Sequence, residues 1–239
     1  MAMIKEHIAR INDEISNVCR RVGRNPADIT IVAVTKFAAV VQIEEALNCG
    51  MTHIGENKVQ QAQEKFAILK TAGRPIIKHM IGHLQTNKVK DALKIFDVIE
   101  SVDSLKLVQA IDAEAKKQNK AVDILIQVNI SGETQKFGVA EDEALRLIEN
   151  VIGAPRLGGV PLQNIHIKGL MTIAPLTQDE KIIRDCFRGL RELRDRIKKD
   201  FAGHKNISMD TLSMGMTNDY KIAIEEGSNM IRVGRAIFR

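Results

Sequence analysis

The sequence predicts a (β/α)8 barrel, a TIM barrel, and three observations carry that reading. Short apolar runs rich in β-branched residues recur eight times along the chain. Stretches with helical periodicity lie between them. The length of 239 residues is close to the about 250 that eight such units typically take. Continuous apolar runs fit strands buried on both faces of a parallel sheet, and regular β–α alternation implies right-handed crossovers. A doubly wound open sheet is the alternative that the same alternation allows.

The elements follow in order. Over residues 3–22, Ile4, Ile8, Ile11, Ile15, Val18 and Val22 recur at steps of three and four and form one apolar helical stripe. Gly23 and Pro26 supply its stop. The first strand, 29–34, runs directly into Thr35 and Lys36. Further strands are expected at 52–55, 76–81, 97–101, 122–130, 165–171, 208–213 and 230–233. Helices are expected at 40–48, 58–70, 87–95, 104–118, 141–152, 179–201 and 219–226. The longest takes its stripe from Ile182, Ile183, Phe187, Leu190, Leu193, Ile197 and Phe201. The chain reaches Arg239 six residues after the last strand, so no helix is expected there. The 3–22 helix is expected to cover that gap.

Composition narrows the function classes. Apolar residues make up 44% of the chain and aromatic residues only 3%, with no tryptophan and Tyr220 as the single tyrosine. The core is therefore aliphatic, and one domain over 1–239 is expected because no linker divides the chain. No apolar run is long enough to span a bilayer as a helix, so no membrane association is expected. Cys19, Cys49 and Cys186 are far apart and odd in number, which points to reduced thiols in the cytoplasm. The charge of +5 is spread over mixed-sign stretches, and no aromatic platform accompanies the basic residues, so nucleic acid is not an expected partner.

A barrel of this kind places its active face at the C-terminal ends of the strands. The last two of those ends read Ser213-Met214-Gly215-Met216 and Arg232-Val233-Gly234-Arg235. Glycines let backbone amides approach an anion, and loops after strands seven and eight are a recurrent phosphate site. Lys36 ends the first strand, where partial desolvation would free its amine to attack a carbonyl. A lysine amine facing a phosphate cradle points to a phosphorylated aldehyde, pyridoxal 5′-phosphate. A phosphate-sugar aldolase with Lys36 as Schiff base shares this logic. His79 and His83 would lie about 13 Å apart on a continuous strand, too far to share a metal ion. Asn129-Ile130-Ser131 matches a glycosylation sequon but falls at a strand end in a cytoplasmic chain.

Taken together, Val-Thr-Lys (34–36), Gly-Glu-Asn (55–57), His-Met-Ile-Gly-His-Leu-Gln-Thr-Asn-Lys (79–88), Lys-Gly-Leu-Met (168–171), Leu-Ser-Met-Gly-Met (212–216) and Ile-Arg-Val-Gly-Arg-Ala-Ile-Phe (231–238) resemble the pyridoxal phosphate homeostasis protein family. That family is related to the N-terminal barrel domain of alanine racemases. The resemblance implies that Lys36 carries the cofactor as a Schiff base. It implies that Ser213, Gly215 and Gly234 hold the phosphate, largely through backbone amides. By the same carry-over Arg232 faces the pyridine nitrogen and Asn57 lies near the ring. Arg235 stands where small hydroxyl residues also occur, and Phe37-Ala38-Ala39 is more apolar than the usual stretch after the lysine.

An arginine at the ring nitrogen disfavours its protonation and weakens the electron sink. Racemases of this geometry add a tyrosine from a second domain, and this sequence offers only Tyr220. The resemblance therefore favours a role in vitamin B6 homeostasis, with no catalytic residue assigned and a monomer expected. PLP-dependent apo-enzymes are candidate recipients, and a low-activity amino-acid racemase is the enzyme alternative.

Overall fold

A computed structural model describes residues 2–71, 73–153 and 161–239. Its elements in chain order are α1 (Ala2–Val22), β1 (Thr30–Val34), α2 (Val40–Asn48), β2 (His53–Glu56), α3 (Val59–Ile68), β3 (Ile77–Met80) and α4 (Val89–Ile95). They continue with β4 (Val98–Val102), α5 (Leu105–Lys117), β5 (Val122–Gln127), α6 (Glu141–Val151) and β6 (Ile165–Met171). The last are α7 (Glu180–Asp200), β7 (Ile207–Ser213), α8 (Tyr220–Glu225), β8 (Met230–Val233) and α9 (Arg235–Phe238). The strands form one closed parallel barrel in sequence order, with β8 returning to pair with β1. The open doubly wound sheet is thereby excluded.

Every strand follows from a β-branched apolar run, and β6 and β8 keep the bounds their sequence pattern gives. The fifth run ends earlier than expected, at Gln127. Val128 leaves the ladder to bridge Val139, and the Asn129 amide donates to the Val139 carbonyl at 2.8 Å. Ser104 and Asp179 start α5 and α7 by accepting hydrogen bonds from amides of the first turn. Short 3-10 turns at Pro26–Asp28 and Thr86–Lys88 were not visible in the apolar pattern.

Helix α1 buries Ile4, Ile8, Ile11, Ile15 and Val18, while Val22 is exposed, so its stripe ends on Cys19. Ile182 is likewise exposed, and the buried face of α7 begins at Ile183. Contrary to expectation, a helix does follow the last strand: α9 is a single turn. Helix α1 packs against α2, α8 and α9, so it does cover the wall beside β8 and β1. Apolar side chains gather in two clusters, one under α1 and α2 against β1, β2 and β8, and one around β3 to β7 with α4 to α7. Both are mainly aliphatic, with Phe187, Phe96 and Tyr220 the large exceptions.

The barrel interior departs from the aliphatic layers usual for this fold. His79, Glu100, Gln127, Ser213 and Arg232 are all buried. Irregular register at Ile99/Val102 and at Ile167/Gly169 accompanies them. At Gly169 strand β6 runs so close to β7 that an added Cβ would sit 1.8 Å from the Thr211 carbonyl oxygen. The glycine of Lys168-Gly169-Leu170-Met171 is thus a requirement of strand packing. We expect Gly169→Ala to push these strands apart and destabilise the fold by about 1–3 kcal/mol or more. Urea unfolding of the two proteins checks this, and an unchanged midpoint would contradict it.

Candidate functional site

The first site residue is set by a buried clamp at the end of β1. Thr35 is fully buried, and its hydroxyl donates to Glu56 Oε1 at 2.9 Å. Lys65 of α3 donates its Nζ to the Thr35 carbonyl and to Glu56 Oε1, both at 2.7 Å. Glu56 Oε2 accepts the Asn57 amide at 3.3 Å. The peptide that leads into Lys36 is therefore held on both sides. Lys36 itself is exposed, with Nζ 5.2 Å from the centre of the Phe37 ring. Phe37 and Ala39 are exposed as well, while Ala38 is buried, so Lys36 is not enclosed as its position at an apolar strand end predicts.

Asn57 sits at the end of β2. Its Oδ1 is buried and, among the described residues, has no hydrogen-bond partner. An unpaired buried acceptor is costly unless a ligand completes it. Gly82 lets the next strand end approach, since a Cβ there would lie 2.4 Å from the Asn57 carbonyl oxygen.

Inside the barrel, five side chains form one hydrogen-bonded line. His53 Nδ1 lies 2.9 Å from His79 Nε2, and His79 Nδ1 lies 2.7 Å from Glu100 Oε1. Ser213 Oγ donates to Glu100 Oε2 at 2.6 Å and accepts from Arg232 Nη1 at 2.7 Å. Arg232 Nη2 donates to the Thr172 carbonyl at 2.8 Å. Burial pushes the Glu100 carboxyl up, but the His79 hydrogen bond and charge, Arg232 and the Ser213 hydroxyl outweigh it and hold it below the usual carboxylate range. Burial lowers Arg232, with Glu100 and then Asp219 opposing. Burial and then His79 lower His53 to about 4, against an opposing pull from Glu100.

The loop after β7 is tied to β8 by the Arg232 amide, which donates to the Gly215 carbonyl at 2.9 Å. Gly215 has φ +96°, and a Cβ there would lie 2.6 Å from Ala223 Cβ and 2.9 Å from Tyr220 Cα. A Cβ on Gly234 would lie 3.1 Å from the Val34 carbonyl oxygen. Among the described residues, the amides of Gly215, Gly234 and Arg235 donate to no protein acceptor. Asp219 closes the first loop by accepting the Met216 amide at 2.5 Å. Burial raises its carboxyl, with that amide and Arg232 opposing.

These strand ends open on one cavity of about 1010 Å³. Lys36, Asn57, Arg232, Gly234 and Arg235 line it. Ser213 and Gly215 do not: both are buried, the serine side chain between Arg232 and Glu100. Sequence reasoning missed Glu100 and Lys65 and gave Glu56 a place in the Gly-Glu-Asn motif without a role, although a glutamate inside the apolar run of β4 was a signal. It also missed the rim. Phe37, Phe137, Ile173, Leu176 and Met216 are exposed around the mouth. His83 also lines the cavity, stacked on Phe137 at 4.2 Å with Nδ1 3.3 Å from Asp103. His79 and His83 therefore serve different surroundings. Tyr220 is buried and its hydroxyl donates to Glu14 of α1.

The family model described as alanine racemase, N-terminal domain, matches residues 7–239. The pyridoxal phosphate homeostasis protein of Aquifex aeolicus (strain VF5) is 36% identical over 233 residues, which is 98% of this chain and 96% of that protein. Among solved structures, PipY of Synechococcus elongatus PCC7942 with PLP bound superposes with a TM-score of 0.81 at 30% identity, covering 99% of this chain and all of that one. An alanine racemase of Clostridium difficile 630 has the same fold, with a TM-score of 0.76 at 13% identity over 99% of this chain and 56% of the racemase.

His53 supplies a pH prediction. Its folded pKa lies below its ordinary 6.5, so the unfolded chain binds more protons between about 4 and 6.5. Its contribution to stability is complete above that window and is lost as pH falls through it. We expect the unfolding midpoint to drop over this range in the wild type and to drop less in His53→Gln, as measured by denaturant titrations at several pH values.

Proposed function

The chain belongs to the pyridoxal phosphate homeostasis protein family, and from that membership and the cavity geometry we propose that it binds pyridoxal 5′-phosphate reversibly through Lys36. The observation that carries the reading is that Lys36 and Arg232, from paired strands, line one cavity beside an unsatisfied Asn57 Oδ1. PipY, 30% identical to this chain, has been solved with PLP bound.

The residues fit the group. Lys36 Nζ is exposed at the cavity and free to reach an aldehyde. Lys36 would hold the group through its aldehyde and would give it up to an amine that arrives at the open mouth. The unpaired Gly234 and Arg235 amides, which line the cavity, would hold the phosphate, while the buried Gly215 and Ser213 would act from behind that lining, the serine through Arg232. Arg232 would present guanidinium hydrogens to the ring nitrogen, and Asn57 would contact the ring substituents. Pyridoxal phosphate supplies the reactive aldehyde and, where its ring nitrogen is protonated, an electron sink.

The polarity of the Arg232 contacts supports a carrier over an enzyme. Guanidinium nitrogens donate and do not accept, so the ring nitrogen would remain an acceptor and carbanion chemistry would be poorly driven. The sole tyrosine is directed to Glu14. The wide mouth supports exchange of the cofactor with outside amines, including those of PLP-dependent apo-enzymes. Three free cysteines support action in the cytoplasm, and the closed sheet, with no edge for strand addition, supports a monomer. The proposal treats 1–239 as one cofactor-binding unit.

Purified protein incubated with pyridoxal phosphate should show a visible absorbance band that borohydride abolishes. Peptide mapping should then find the reduced adduct on Lys36, and Lys36→Ala should lose both. A yellow protein unaffected by Lys36→Ala would overturn the proposal.

A further inference from the structure

Glu100 is a carboxylate with no solvent exposure in the middle of a barrel, and binding of a cofactor at the mouth does not by itself explain it. Barrel interiors are ordinarily filled by branched aliphatic side chains. A buried ion pair is seldom more stable than the apolar packing that could replace it. The interior set is also complete: both Glu100 oxygens are engaged, and the line from His53 to Arg232 has no gap at any step.

Its direction is fixed by chemistry. Arg232 has donors only, so Ser213 Oγ accepts from it and must pass its single proton to Glu100 Oε2. With that oxygen accepting, the charged carboxylate takes the Nδ1 hydrogen of His79 on Oε1. The bonds on both sides of Glu100 point toward it, and its Oε2 is 3.9 Å from Arg232 Nη1. The Thr172 carbonyl fixes the other guanidinium nitrogen at 2.8 Å. The guanidinium is thereby held in one plane, with its remaining hydrogens at the cavity.

We propose that Glu100, acting through Ser213, is a positioning residue for Arg232, and that this orientation sets the affinity and electronic state of a ring bound in the cavity. The second half rests on the function proposed above. His79 completes the carboxylate from the opposite side and keeps it from rotating away from Ser213.

The test uses the whole chain with Glu100→Gln, which keeps the shape and removes the charge. A change of His79 tautomer leaves the glutamine amide with partners. In cofactor-free protein, nitrogen-15 spectra should show the Arg232 side chain as a resolved, slowly exchanging signal. In Glu100→Gln that signal should merge with the averaged arginines. With pyridoxal phosphate added, the variant should still form the borohydride-reducible adduct on Lys36. Its affinity should fall about tenfold or more, the worth of a hydrogen bond to a charged group, and its visible band should shift.

An Arg232 signal that is unchanged in the variant would overturn the positioning role. A released Arg232 with unaltered affinity and band would overturn its effect on the ring. If Glu100→Gln fails to fold, Ser213→Ala removes only the bridging hydroxyl and is read by the same two measurements. A wild type that forms no adduct on Lys36 overturns the proposed function and the effect on the ring. The Arg232 signal then still decides whether Glu100 holds the guanidinium.

Discussion

The pairing of β8 with β1 is the contact on which the candidate site depends. It runs from Thr30 against Met230 to Ala33 against Val233 and places Arg232 opposite Val32. Chain ends nearly two hundred residues apart are thereby joined, and the segment beyond β1 that carries Lys36 comes to lie beside the segment beyond β8 that carries Gly234. Parallel strands make this pairing productive, because all eight then deliver their C-terminal ends to the same mouth. An antiparallel closure with the same residues would send alternate strand ends to opposite faces.

Closing the barrel has a cost that the interior polar groups make larger. Their dehydration is balanced only because each finds a specific partner: Glu100 has three neighbours, Arg232 reaches both Ser213 and Thr172, and Glu56 is matched by Lys65. The stability that permits this comes from the aliphatic shell between strands and helices, where Ile43, Ile99, Ile124 and Phe187 are fully buried. The two regions divide the labour. Outward-facing strand residues hold the fold, and inward-facing ones define what the mouth can recognise.

That division also governs what the sequence made legible. Outward-facing runs are continuous and apolar, so the strands of the barrel and most helices could be placed within a few residues. The positions of Lys36, Asn57 and Gly234 were legible because they follow such runs, where polarity changes abruptly, whereas Arg232 was singled out through the family resemblance. The exposure of Lys36 was not legible, since it depends on the path of Phe37 to Ala39 after the strand. Phe137 and Leu176 stand on loops with no period to reveal them. The line through Glu100 and Ser213 joins strands distant in sequence, and only closure shows that their polar residues share one interior. Tyr220 was correctly placed on the helix after β7, yet its partner on α1 could be known only from the packing of that helix across the β8–β1 wall.

The same geometry bears on why a racemase-type barrel would hold a cofactor without committing it to one reaction. Three features bear on that question. On the proposed function, an arginine that offers hydrogens and accepts none would limit charge withdrawal into a bound ring. The single tyrosine, Tyr220, lies away from the cavity lining with its hydroxyl bound to Glu14. The rim is open and apolar, with Leu176 wholly exposed at 99%, so an amine from outside has access to whatever Lys36 holds. On the proposed function, tight orientation below and free access above would favour exchange at the lysine over chemistry at the ring. A barrel that buried Lys36 and left Arg232 free to turn would favour the opposite outcome.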